Sequence, residues 1–168
     1  DCMSLFDVPL HYQLLNASDT NGNFDMRELF QGTLVENDPW HAVTFVDNHD
    51  TEPGQSLESF VLSWFKPLAY TLILLRIDGL PCVFYGDLYG IPAKNVPAVA
   101  ELPTLMKIRE LYAYGEQHDY FDNPDIIGWT RSGSDEFSGS GLAVVLSNRC
   151  GGSKRMYIGT NHTGKEFR

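Results

Sequence analysis

A chain of 168 residues with 43% hydrophobic and 20% charged residues has the composition of an ordinary globular protein and excludes a disordered or fibrous one. Its formal net charge of −10 argues against nucleic acid or an anionic membrane as a partner and suits a neutral substrate or bound cations. The longest apolar run, residues 68–75, is far shorter than the roughly 18 residues a membrane span needs, and no signal peptide opens the sequence.

In chain order, residues 4–8 read as a strand, after which Met26, Leu29, Phe30 and Leu34 recur at helical spacing up to Pro39. Residues 42–46 form an almost unbroken β-branched and apolar run, the pattern of a parallel strand buried on both faces. Pro67 suits the first turn of a helix over 68–76, and Gly79 supplies its stop. Residues 81–85 read as a third strand, and Leu105, Ile108, Leu111 and Tyr112 mark a helix before Gly115. Three strand-then-helix units in a row predict a parallel α/β sheet or barrel. Beyond Gly115 the helical period vanishes, and 126–131, 142–146 and 155–158 are short strand candidates between turn-rich segments. Cys2, Cys82 and Cys150 are too few and too scattered for a disulfide framework and are expected as free thiols.

The buried run 42–46 ends abruptly in Asp47, Asn48, His49 and Asp50. In parallel α/β folds ligands bind at the C-terminal ends of strands, so these four stand where chemistry is expected. Their plainer reading is a polar turn closing the strand, since Asn and Asp are common turn formers. A metal set of His41, Asp47, His49 and Asp50 is a weaker alternative, because the spacing matches no zinc motif. The stretch 19–25 begins like a calcium-binding EF-hand loop, but Gly22 falls at position four instead of six and Phe30 stands where a bidentate Glu is needed.

The string from Ala42 to Ser59, AVTFVDNHDTEPGQSLES, resembles the seventh-strand motif of the α-amylase family of glycoside hydrolases, bacterial liquefying and intracellular members in particular. WFKPLAY at 64–70, GLPCVFYGDLYG at 79–90 (similar to the eighth-strand motif) and FDVPLHY at 6–12 (near the sixth strand) extend the resemblance, which continues to Lys154–Tyr157. It implies the last three β/α units of a (β/α)8 TIM barrel over residues 1–115, followed by the first strands of an antiparallel β-sandwich over 116–168. It also implies that Asp50 is the carboxylate that stabilises the transition state and His49 a sugar-binding residue. The family's nucleophile and general-acid motifs are absent, so 1–168 alone is expected to be inactive and to require the missing N-terminal half of the barrel. The implied substrates are α-glucans (starch, glycogen, maltodextrins), in a soluble setting that is either secreted or cytoplasmic. A structural calcium ion is implied at the backbone carbonyls of Gly22, Phe24 and Pro124 and the side chains of Asp125 and Asn148, where Asn148 departs from the carboxylate of the relatives. An α-glucan transferase or a non-catalytic glucan binder of the same family remains open; the segment Glu52–Ser56 favours an amylase. Asp47 and Asp87 are expected as structural hydrogen-bonding residues.

Overall fold

A computed structural model describes residues 3–164. Strand β1 (Leu5–Phe6) stops where Asp7 turns its carboxylate onto the next helix, accepting from the Leu10 amide at 3.0 Å. Helix α1 (Val8–Asp19) therefore begins inside the segment expected to be strand, with Pro9 in its first turn, and it buries Leu10, Leu14 and Ala17 along one face. The segment from Met26 to Pro39, expected to be one helix, divides into a 3-10 turn (Met26–Glu28) and a short helix α2 (Leu34–Asn37). Gly32, at φ +73°, separates them, and the Thr33 hydroxyl caps α2 by accepting from the Glu36 amide.

Strand β2 (Ala42–Phe45) lies between β1 and β3 (Leu80–Cys82), and both pairings are parallel. Helix α3 (Lys66–Leu75) carries Pro67 in its first turn and is buried from Ala69 to Leu75. The third strand is shorter than expected, because the chain leaves it after Cys82 and enters helix α4 (Tyr85–Tyr89). Helix α5 (Leu102–Tyr112) completes the parallel layer.

The second sheet is antiparallel, in the order β4 (Gln117–Tyr120), β5 (Ile126–Arg131), β6 (Leu142–Ser147). Strand β4 was not anticipated: Gln-His-Asp-Tyr has no apolar alternation and occupies an edge. Residues 155–158 form no ladder strand. Side chains take up the backbone there instead, with the Tyr120 hydroxyl accepting from the Tyr157 amide (2.7 Å) and the Thr130 hydroxyl donating to the Tyr157 carbonyl (2.8 Å).

One core joins the two sheets. Trp129 of β5 is fully buried with Leu10, Leu72 and Leu75, and its indole N–H donates to the Leu75 carbonyl at 3.2 Å. Arg76, at the end of α3, reaches Asp119 of β4 with both guanidinium ends, at 2.7 and 2.9 Å, beneath the Phe30 ring. Cys82 and Cys150 are free thiols, and Cys2 lies outside the described residues. Among the described residues no helix is long and apolar enough to cross a membrane.

Candidate functional site at the end of the central strand

Strand β2 is buried except at half-buried Val43, and burial continues through Val46 and Asp47 before the chain turns into solvent. The turn is built by its own side chains. Asn48 Oδ1 accepts from the amides of Asp50 (2.8 Å) and Thr51 (3.0 Å), the Asx geometry that Asn favours. The Thr51 hydroxyl accepts from the Asn48 amide and donates to Asp47 Oδ1, both at 3.0 Å. With the backbone closed on itself, His49 and Asp50 project outward, their side chains 84% and 56% exposed and His49 Nε2 3.5 Å from Asp50 Oδ1. Asn48 and Thr51 thus form the turn, and His49 and Asp50 are the side chains it presents to solvent.

Beneath this turn lies a buried ionic cluster. Lys66, the first residue of α3, is 2% exposed and its ammonium stands between Asp47 (Oδ2 at 2.9 Å) at the end of β2 and Asp87 in α4. Its charge also lies over the Phe60 ring, 3.3 Å from the centroid. Asp47 Oδ1 accepts from the Val61 amide, and Asp87 Oδ2 from the Tyr70 hydroxyl at 2.7 Å. Burial pushes the Asp47 carboxyl up to about 7, against the opposing pull of Lys66. Burial, reinforced by the Asp87 charge, raises the Tyr70 phenol and keeps it a donor. Asp47 and Asp87 stand in the structural positions expected for them. The part of Lys66 has no signal in the sequence, since a lysine at the head of a helix is ordinarily exposed and only a counter-charge brought by the fold lets it be buried.

His11 of α1 supports the same strand end from the other side. Its ring stacks on Phe45 (5.2 Å, 7°), Nδ1 donates to the Val46 carbonyl at 2.6 Å, and the Ser59 hydroxyl lies 2.9 Å from Nε2. Burial holds this imidazole below its ordinary value by more than the bond to Val46 raises it, and the Lys66 charge lowers it further, so the neutral ring is favoured. Lys94 binds Glu52 at 2.6 Å and ties the loop after the turn to the segment following α4; its ammonium holds the Glu52 carboxyl below the usual range.

Among the described residues, no group of three or more His, Cys, Asp or Glu side chains could hold a metal, and His41 pairs with Asp38 (2.8 Å) away from the turn. The implied calcium donors do gather where the loop after α1 meets the end of β6. A Cβ on Gly22 would lie 2.6 Å from the Asn148 carbonyl oxygen, so the two backbones touch there. Protein hydrogens already engage these donors. The Gly22 carbonyl accepts from Arg149 Nε (2.7 Å), the Phe24 carbonyl from Asn148 Nδ2 (2.7 Å) and the Pro124 carbonyl from the Met26 amide (2.8 Å). Asp125 Oδ1 lies 3.3 Å from Arg149 Nε. Asn148 Oδ1 alone of the five is buried with no hydrogen-bond partner. Calcium takes six to eight oxygens and gains affinity with anionic ligands, whereas this set has one carboxylate, paired with a guanidinium. As arranged, the donors do not fit the ion.

No family model matches the chain. An α-amylase of Geobacillus stearothermophilus is 58% identical over 166 residues, and an α-amylase of Bacillus licheniformis is 54% identical over 168. Each alignment covers 98% of this chain, which spans 30% and 33% of those relatives. The crystal structure of AmyP in complex with maltose superposes with a TM-score of 0.56 over 86% of this chain and 39% of that one, at 16% identity, which shows a shared fold. With more than half of the residues identical over 98% of its length, the chain belongs to the α-amylase family of glycoside hydrolases.

Proposed function

We propose that this chain contributes to the active site of an α-amylase, which hydrolyses internal α-1,4-glucosidic bonds of starch, glycogen or maltodextrins with retention of configuration. Asp50 stabilises the transition state, and His49 binds the sugar at the cleaved bond. The observation that carries this reading is the exposed His49–Asp50 pair on a turn locked at Asn48 and Thr51, at the C-terminal end of the central parallel strand. Positive charge develops on the sugar as the bond breaks, and a carboxylate held in place before the reaction stabilises it without reorganising. A retaining cleavage also needs a nucleophile and a proton donor about 5–5.5 Å apart. In this reading both come from residues outside the 168, on strands that close the barrel against β1 and β3. The exposure of Leu5 (56%), Phe6 (53%) and Leu80 (53%) supports such a completion. The barrel portion then comprises residues 1–115, and 116–168 open a β-sandwich.

The test is Asp50→Asn in the complete enzyme. Turnover of soluble starch should fall by at least about 1,000-fold with the thermal transition unchanged, since the side chain is exposed and its loss removes only a contact to the reacting sugar. Near-normal turnover in the folded variant would remove Asp50 from the catalytic set. Product analysis on wild type separates the neighbouring readings: new reducing ends mark hydrolysis, rearranged glucans mark a transferase, and binding without either marks a non-catalytic relative.

A further inference from the structure

We infer that Arg149 is the built-in cation of the junction between the loop after α1 and the second sheet, standing where the family resemblance implies calcium. The loop approaches β6 because Asn21 (φ +50°) and Gly22 (φ +85°) both take left-handed backbone, which turns the Gly22 and Phe24 carbonyls toward Asn148 and Arg149. The Gly22 carbonyl and the Asp125 carboxylate thereby come within reach of one side chain, and two oxygens placed together favour a positive partner. The guanidinium supplies one with the directional fork that a metal ion lacks. Its Nε reaches the Gly22 carbonyl at 2.7 Å and Asp125 Oδ1 at 3.3 Å, and its Nη2 reaches Asn23 Oδ1 at 2.6 Å.

The neighbouring position is consistent with this assignment. A carboxylate at 148, as the resemblance would have it, suits a divalent ion; the neutral amide present spends its Nδ2 donor on the Phe24 carbonyl at 2.7 Å. Asp125 and Arg149 then balance at zero net charge. A calcium ion would have to displace the guanidinium from both Gly22 and Asp125 and then remain beside its charge. Arginine and metal are alternative occupants of one junction, and the pair Asn148–Arg149 selects arginine. Asn148 Oδ1 faces the junction without a donor and is left buried with no hydrogen-bond partner.

The experiment follows the thermal transition of the intact protein in EDTA and in excess calcium chloride, for wild type, Asp125→Ala, Arg149→Ala and the double variant Asn148→Asp/Arg149→Gly, with far-UV circular dichroism confirming each fold. In EDTA, Arg149→Ala should melt about 2–4 °C below wild type, a modest loss because the side chain is half exposed. Any calcium response of the wild type should persist undiminished in Asp125→Ala, because metal bound elsewhere does not use this carboxylate. The double variant should gain a calcium-dependent rise beyond that of wild type, by binding linkage. Three results would each overturn the assignment: a wild-type calcium response that shrinks in Asp125→Ala, an Arg149→Ala variant as stable as wild type in EDTA, or a double variant that gains no response.

Discussion

Asp47 and Asp50 lie three residues apart at the end of one strand and meet opposite surroundings. Asp47 is sealed with Lys66 and Asp87, and its side chain has no exposure; Asp50 stands in solvent beside His49 with more than half of its side chain exposed. The two halves depend on each other. An exposed carboxylate holds its direction only if the backbone beneath it is fixed, and Thr51, bonded to both Asp47 and Asn48, ties the exposed turn to the buried cluster. Changes in the buried half should therefore register as stability, and changes in the exposed half as activity.

The largest effect is expected from Lys66→Ala. It leaves two buried carboxylates without their cation, and breaking such a cluster from one side costs about 3–5 kcal/mol, read as a lower urea midpoint. A loss below about 1 kcal/mol would show that the carboxylates are relieved by taking up protons, and would separate the turn from its anchor. His49→Asn tests the other half. It should lower kcat/KM on soluble starch in the complete enzyme by about 10- to 1,000-fold, the worth of lost hydrogen bonds at a reacting sugar, while the urea midpoint stays in place. A shifted midpoint with intact kcat/KM would reverse the division.

The smallest effect is one of pH. Because burial raises the Asp47 carboxyl from 3.8 to about 7, the folded protein holds this proton more tightly than the unfolded chain. The stability linked to it is complete below about pH 4 and is lost as the pH rises through about 7. Denaturant unfolding of wild type and Asp47→Asn across this window should show the difference between them moving against wild type with rising pH. Movement in its favour would mean that Lys66 wins over burial and keeps Asp47 ionised.

Much of this arrangement was legible in the chain. The apolar run 42–46 ending in four polar residues marked the strand and the polar turn that closes it, because a largely buried strand displays polar groups most readily at its end. Helix α1 is masked in the sequence although Leu10, Leu14 and Ala17 carry its period, since the apolar residues before it continue a strand pattern through Val8. The stop comes from the buried Asp7 carboxylate, which accepts from the distant amides of Leu34 and Val35 as well as from Leu10. Strand β4 went unseen for a related reason: its four residues gain their order from pairing with β5 and from Asp119 bound to Arg76.

The sequence by itself determined the order of the parallel units, the change of character after Gly115 and the placing of His49 and Asp50 at a strand end, because periodicity and local turn chemistry are written in consecutive residues. Only the tertiary structure decided that Lys66 binds Asp47 and Asp87, and that Arg149 occupies the junction among Gly22, Asn23 and Asp125. Those pairings join residues 19 to 127 positions apart. A buried or half-buried charge takes whichever opposite charge or carbonyl the folded chain brings within reach, and that distance is a property of packing that no local pattern records.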